Sequence, residues 1–118
     1  MSASLLDLLR HIEQECQFLI EDSDAIDEDH FMRDERRKRA YARSFEVIGE
    51  ASKQIAPSVR ARFDEIEWTA MARMRDRLIH HYFGVDYSLV WDAVMNDIPR
   101  LLTEIKNALE TLREEEKS

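Results

Sequence analysis

Hydrophobic and polar residues follow each other along this chain with the period of an α-helix, about 3.6 residues per turn. A first hydrophobic stripe predicts a helix from about Ser4 to Glu21. The acidic segment that follows, residues 21–29, carries no stripe and predicts a loop, in which Asp27 or Asp29 is a candidate N-cap for the next helix. The first stripe consists of Leu5, Leu8, Leu9, Ile12, Cys16, Leu19 and Ile20.

Two further stripes predict the middle of the fold. A long second helix ends before Pro57, because proline disfavours helical geometry in the residue that precedes it. A short helical turn is expected from Pro57 to Phe63, and a third helix from Glu67 to about Tyr82. The second stripe is Tyr41, Phe45, Ile48, Ser52 and Ile55; the third is Met71, Met74 and Leu78.

A fourth stripe begins after Gly84, which ends the third helix, with Asp86 as the expected cap. Pro99 lies inside this stripe and removes a backbone donor, so we expect a kink or a short break there, with Asn96 or Asp97 as a cap for the restarted helix. The stripe consists of Tyr87, Trp91, Val94, Ile98, Leu101, Ile105 and Leu112.

Four such helices with short connections predict an all-α fold, an antiparallel four-helix bundle with room for a short extra helix, as one domain over residues 1–118. The two glycines and two prolines are too few for a fold of many strands and turns. The last stripe runs close to the C-terminus and leaves apolar surface that a second subunit could cover.

The composition narrows the cellular setting. No stretch reaches the length of roughly 20 apolar residues that a membrane span needs, and the N-terminus lacks the basic region and cleavage site of a signal peptide. The single cysteine, Cys16, cannot form an internal disulfide and is expected in the core of the first helix. We therefore expect a cytoplasmic protein that does not associate with membranes.

Charge is distributed unevenly. The net charge is −8, but residues 33–77 hold 12 Lys/Arg against 8 Asp/Glu, a local net charge of +4. A basic middle within an acidic chain indicates a local anion site rather than a general coat for nucleic acid.

The densest chemistry lies in RMRDRLIHHYFGVD, residues 73–86. Histidine can exchange a proton near neutral pH, and arginine offers a fixed fork of donors that matches a phosphate. Together they suffice to cleave RNA without a metal, because the 2′-hydroxyl attacks the adjacent phosphorus while histidine handles the proton and arginine stabilises the phosphoryl charge. Within one helix Arg75 and His80 do not share a face, so they converge only if the helix ends near His80 or if two copies face each other.

The residue types alone leave alternatives open. A cluster of arginine and histidine near a helix C-terminus also stabilises the helix dipole, and judged by composition this is the more common situation. Asp76 and His80, four residues apart, share a face, so the carboxylate could orient the imidazole. The same pair could begin a metal site, but no third ligand is evident and the neighbouring arginines would repel a cation, so no metal and no cofactor is expected.

The segment from Arg75 to Tyr82 resembles the R-x4-H-x-Y motif of HEPN-domain ribonucleases. The surrounding stretches SFEVIGEASKQI and MRDRLIHHYFGVDYSLVWDAV are similar to the HepT toxins of bacterial HEPN–MNT toxin–antitoxin pairs, and the similarity covers nearly the whole chain. It implies an all-α bundle that forms a homodimer with two motifs in one cleft. It also implies a metal-independent ribonuclease that acts on RNA, plausibly tRNA, and a cognate minimal nucleotidyltransferase antitoxin.

The resemblance assigns roles to individual residues. Arg75 and His80 become the catalytic pair, and Tyr82 becomes the acceptor of AMP from the antitoxin. Asp76 stands where the family often has asparagine. A carboxylate near a scissile phosphate repels that phosphate unless the carboxylate serves His80. His81 either assists or lines the cleft.

Two other groups complete the expected site. Glu50 follows Gly49, and since a glycine within a helix often marks close helix approach, Glu50 is a candidate partner of Arg75. The basic run at residues 33–43 is either a solvated helix face or the surface that holds the RNA backbone. The candidate RNA contacts are Arg36, Arg37, Lys38, Arg39 and Arg77. Two other functions stay open: a HEPN module that binds nucleotide or RNA without cleaving it, and a purely structural helical protein.

Overall fold

The computed structural model of the protein describes residues 4–79 and 84–117, and within them the chain forms seven helices and no strand. The predicted all-α class is therefore confirmed. The helices are α1 (Leu5–Asp24), α2 (Glu28–Arg33), α3 (Glu35–Gln54), α4 (Pro57–Arg62), α5 (Trp68–Ile79), α6 (Tyr87–Asn96) and α7 (Ile98–Lys117).

The acidic segment after the first stripe is more helical than the sequence predicts. Helix α1 continues to Asp24, and α2 begins at Glu28 with the predicted Asp27 as its N-cap, so the expected loop shrinks to residues 25–27. The physical reason is that Asp22 is not a free surface acid. Its carboxylate accepts hydrogen bonds from the Tyr41 hydroxyl at 2.7 Å and from Arg37 Nε at 2.9 Å, which fixes the last turn of α1 against α3.

Helices α1 and α3 run antiparallel. Two hydrogen bonds connect the helices, and their order along α3 is the reverse of their order along α1. Tyr41 bonds to Asp22, near the end of α1, and Ser44, one turn later in α3, bonds to the earlier Glu15 at 2.7 Å. At the α2 end of this pair, Phe31 stacks on the Tyr41 ring with centroids 4.7 Å apart. The core of the fold is built around these two helices and α7.

Both proline predictions agree with the structure. Pro57 occupies the first turn of the short helix α4, where its missing N–H leaves no hydrogen bond unmade. Pro99 lies in the first turn of α7, and the predicted break falls at Asp97 between α6 and α7. Asp86 caps α6 by accepting from the Leu89 backbone N–H at 3.2 Å, as expected.

Helix α5 packs against α3 and buries the predicted face, with Leu78 in the core and Met71 and Met74 packed on it. The Ser52 hydroxyl, in the last turn of α3, contacts the Met71 sulfur at 3.6 Å. None of the helices in the described part of the chain is long and apolar enough to cross a membrane.

Candidate functional site

The last turns of α5 carry the first part of the sequence motif. Arg75 and Asp76 are half-buried there, and Arg77 is exposed. His80, His81 and Tyr82 lie outside the described residues, so the predicted pairing of Arg75 with His80 stays a prediction. The described half of the site is the arginine and the residues that surround it.

Gly49 determines how closely α5 approaches α3 at this point. A Cβ atom built on Gly49 would overlap the Cβ of Arg75, and would lie 2.7 Å from the Arg75 Cγ and 3.2 Å from the Met71 carbonyl oxygen. No side chain fits in this space, because these distances are far below van der Waals contact. The glycine therefore allows the stem of Arg75 to lie directly on the α3 backbone.

Glu50, the residue after this glycine, binds the guanidinium of Arg75. Glu50 Oε1 lies 2.5 Å from Arg75 Nη2, an ion pair between α3 and α5. The Arg75 side chain is 21% exposed, whereas Glu50 is 47% exposed, so the carboxylate holds the arginine from the solvent side. The two residues meet as expected, and the contribution of Glu50 to catalysis stays a prediction.

Asp76 has two cationic partners. Its Oδ1 atom lies 2.7 Å from Lys53 Nζ and 3.1 Å from Arg75 Nη1. The hydrogen bond from Lys53 and the one from Arg75 hold the pKa of the Asp76 carboxyl below its ordinary value, so it is ionised at neutral pH. Asp76 was expected to be balanced by a histidine, whereas among the described residues Lys53 and Arg75 balance it.

Lys53 is the residue that sequence reasoning missed. It lies three residues after Glu50 and four after Gly49, so all three occupy one face of α3. That spacing was visible in the sequence, but nothing there indicated that α5 would pack on this face in the register that brings Asp76 to Lys53. Glu50, Lys53, Arg75 and Asp76 form a group of two acids and two bases, called the α3–α5 quartet below.

One nitrogen of Arg75 remains unused. Its Nε atom is buried and has no hydrogen-bond partner in the described part of the chain. A buried donor without a partner is costly and uncommon in folded proteins. The guanidinium thus has its two terminal nitrogens on carboxylates and its buried Nε without a partner among the described residues.

The basic run of α3 divides into two kinds of residue. Arg37 is paired with Asp22 and Asp34, and Lys38 is only 13% exposed, with its ammonium 2.9 Å from Glu35 and 4.8 Å from the centre of the Tyr87 ring. Arg36 and Arg39 are exposed and form no ion pair with any residue that the structure describes. Of the five predicted RNA contacts, Arg36, Arg39 and Arg77 therefore face solvent, whereas Arg37 and Lys38 serve the fold.

A cavity of about 250 Å³ opens elsewhere, between α3, α5 and the junction of α6 and α7. Its walls include Phe45, Ile48 and Met74, and its rim carries Glu67 and Asp97. No member of the α3–α5 quartet lines it. The cavity is therefore separate from the arginine site.

Other kinds of site find little support in the described residues. Cys16 is fully buried, and burial among apolar side chains, aided by Glu15 and Glu13, raises the pKa of its thiol to about 12. It is therefore a protonated core residue, as predicted, and not a nucleophile. Within residues 4–79 and 84–117 no three side chains of His, Cys, Asp or Glu are grouped to hold a metal ion.

Comparison with known proteins identifies the family. The sequence model of the family described as "Ribonuclease HepT-like" matches residues 8–108, which is most of the chain. The chain belongs to the HepT-like ribonuclease family. Both the family and the ribonuclease class predicted from the motif are thereby confirmed.

Individual HepT-like relatives agree with this assignment. A candidate RNase of Caldanaerobacter subterraneus subsp. tengcongensis is 42% identical over 102 residues, which cover 86% of this chain and 91% of the relative. A protein of Thermococcus cleftensis named "Probable ribonuclease HepT" is 41% identical over 96% of this chain and 99% of its own length. A candidate RNase of Methanocaldococcus jannaschii is 34% identical over 98% of this chain and 93% of the relative. No solved structure matches the chain.

Proposed function

We propose that this HepT-like chain is the toxin of a toxin–antitoxin pair and that it cleaves RNA, with tRNA as its substrate, without a metal. In this mechanism the 2′-hydroxyl attacks the adjacent phosphorus and the 5′-oxygen leaves, which produces a 2′,3′-cyclic phosphate. His80 moves the proton and Arg75 binds the phosphoryl oxygens. The observation that supports this most is the placement of Arg75, whose stem lies on Gly49 and whose guanidinium is held by Glu50.

The state of the Arg75 side chain fits an anion site. A guanidinium that is 21% exposed has lost most of its hydration, so its interaction with an incoming phosphate is stronger than that of a fully solvated arginine. The exposed Arg36, Arg39 and Arg77 are the cations we assign to the RNA backbone.

The proposed active unit is a homodimer. Arg75 and His80 are five residues apart, which on a continuous helix directs them away from each other by about 140°. A second copy of the motif facing the first would bring the arginine of one protomer to the histidine of the other. This arrangement would give Arg75, which Gly49 and Glu50 hold in position, a catalytic partner from the second protomer.

We further propose that a cognate minimal nucleotidyltransferase silences the toxin in the cytoplasm by transferring AMP from ATP to the Tyr82 hydroxyl, with pyrophosphate as the leaving group. Tyr82 follows His80 by two residues, so the added phosphate would bring negative charge and bulk to the place that RNA phosphate must occupy. Inhibition then follows from occupancy and from like-charge repulsion.

Purified protein should cleave tRNA in the presence of EDTA. Arg75→Ala and His80→Ala should each lower the rate at least about a hundredfold, because each removes a group that acts on the transition state. Arg113→Ala, which removes an exposed arginine of α7, is the matched control and should cleave like the wild type. Full activity of both motif variants would refute the assigned site, and RNA that is bound but left intact by the wild type would indicate a binding module.

The silencing step has its own test. The gene next to this chain should encode a small nucleotidyltransferase, and incubation with that enzyme and ATP should add the mass of AMP to the wild type and to Tyr87→Phe. Tyr82→Phe should remain unmodified and should keep cleaving RNA after the same treatment. Equal labelling of Tyr82→Phe would show that another residue is the acceptor.

A further inference from the structure

The α3–α5 quartet contains one residue, Lys53, to which the proposed mechanism assigns no role. Lys53 Nζ and Arg75 Nη1 contact the same oxygen of Asp76, at 2.7 and 3.1 Å. The four charges of Glu50, Lys53, Arg75 and Asp76 cancel. Removing the lysine alone would leave a net charge of −1 directly beside the arginine that is to bind phosphate.

We propose that Lys53 is a positioning residue that neutralises Asp76 and so keeps the Arg75 guanidinium available for the RNA phosphate. The inference rests on the proposed function of Arg75. It explains how this chain tolerates the Asp76 carboxylate next to its phosphate-binding arginine. The positive charge that compensates Asp76 comes from Lys53 in α3, one turn beyond Gly49, and not from α5 itself.

Geometry supports this role over a purely structural one. Lys53 and Asp76 are 38% and 44% exposed, and ion pairs of such exposure contribute little to stability. The electrostatic effect on a neighbouring anion is larger, because a carboxylate competes with phosphate for the same donors of an arginine. With Lys53 in place, Asp76 Oδ1 takes its shorter bond from the lysine and its longer one from Arg75.

The same geometry distinguishes this role from direct binding of RNA by Lys53. A lysine that contacts RNA phosphate itself would be needed whatever stands at position 76. A lysine that neutralises Asp76 becomes dispensable once the carboxylate is removed. The side chain at position 76 therefore decides between the two roles, and asparagine there removes the charge at nearly constant shape.

The experiment is a double-mutant cycle with Lys53→Met and Asp76→Asn, measured as kcat/KM for cleavage and as Kd for uncleaved RNA in a His80→Ala background. Lys53→Met should weaken RNA binding and lower kcat/KM about tenfold, mainly through KM, because one uncompensated charge now opposes the phosphate. Lys53→Met combined with Asp76→Asn should recover to within about threefold of Asp76→Asn alone. Lys53→Arg should behave like the wild type, because it keeps the charge.

Two controls accompany the cycle. Lys106→Met removes an exposed lysine of α7, changes the net charge equally and should leave Kd unchanged. Thermal melting should show similar stability for all variants.

If Lys53→Met loses RNA binding and Asp76→Asn does not restore it, Lys53 acts on RNA or on the fold and the inference is wrong. Unchanged RNA binding by Lys53→Met also overturns the inference. If Arg75→Ala binds and cleaves RNA like the wild type, the proposed function fails, and the inference fails with it.

Discussion

Two arginines of this protein are each held by two carboxylates, and they do different things. Arg37 binds Asp22 through Nε at 2.9 Å and Asp34 through Nη1 at 3.0 Å. Arg75 binds Glu50 and Asp76 through its two terminal nitrogens and leaves its buried Nε without a partner among the described residues. The side-chain types are the same, but only Arg75 has a buried nitrogen without a hydrogen bond to the described residues.

The carboxylates explain the difference. Asp22 also accepts from the Tyr41 hydroxyl, and Asp34 also caps α3 by accepting from the Arg37 backbone N–H at 3.1 Å. Both acids near Arg37 thus perform structural work that would continue without the arginine. Glu50 has no hydrogen bond to any other part of the described chain, so its position is explained only by Arg75.

This comparison shows that the density of basic residues in the sequence does not reveal which cation is available. Arg37 lies in the most basic stretch of the chain, yet its charge is used within the fold. Arg75 lies in a less basic stretch but is desolvated, fixed in position and incompletely paired. A desolvated and prepositioned cation is what an anion site requires.

Removing one acid from each arginine should have opposite effects. Glu50→Ala removes the carboxylate that holds the guanidinium of Arg75 in position. It should therefore lower the rate of RNA cleavage up to about a hundredfold, with little change in melting temperature. Asp22→Ala leaves the Tyr41 hydroxyl and Arg37 without their acceptor and should lower the free energy of unfolding by about 1–3 kcal/mol, with cleavage retained. Cleavage assays and thermal or urea unfolding of the two variants measure both effects; a loss of activity in Asp22→Ala at a temperature where it is folded would contradict the distinction.

The next largest effect is expected at Gly49. A helical glycine replaced by alanine normally gains roughly 0.5–1 kcal/mol of stability from helix propensity. Here the new methyl group would meet Arg75 Cβ, so Gly49→Ala should instead cost about 1–3 kcal/mol and lower cleavage. The free energy of unfolding measures the cost. In an Arg75→Gly background the two Arg75 atoms that the methyl meets are absent and only the Met71 carbonyl oxygen, at 3.2 Å, remains close, so Gly49→Ala should cost less. An equal cost in both backgrounds would place the clash elsewhere.

The sequence alone predicted most elements of the fold, but it did not predict the break at Asp34 that divides the second helix into α2 and α3. Stripes at helical spacing, Pro57, Asp86 and Pro99 predicted the long helices, the short α4 and the break before α7. The extension of α1 to Asp24 was not predictable, because it depends on Tyr41 and Arg37, which are distant in sequence. Local patterns describe periodicity within a helix, whereas such bonds depend on how two helices pack.

The same limit applies to the site. The motif identified Arg75, and the glycine in α3 pointed to Glu50 as its neighbour, because a close approach leaves a recognisable residue. Lys53 leaves no such mark: an exposed lysine on a charged helix is common, and its meaning depends on the register that brings Asp76 opposite to it. Residues that act through a contact between two helices are therefore the ones a single sequence conceals.

The smallest expected effect concerns acid and compares Asp34 with Asp76. Both carboxyls have a pKa below the ordinary 3.8, Asp34 chiefly through the Arg37 backbone N–H and Asp76 chiefly through Lys53. The native protein therefore binds fewer protons at these two carboxyls than the unfolded chain does. The stability that the two carboxylates contribute is present above pH 3.8 and is lost as the pH falls through their lowered pKa values. Asp34→Asn and Asp76→Asn should each reduce the drop in melting temperature between pH 6 and pH 3, Asp76→Asn by less, because that ion pair is nearly half exposed. Melting curves of the wild type and both variants at the two pH values test this. A drop as large in Asp34→Asn as in the wild type would mean that the cap of α3 does not depend on the charge of its carboxylate.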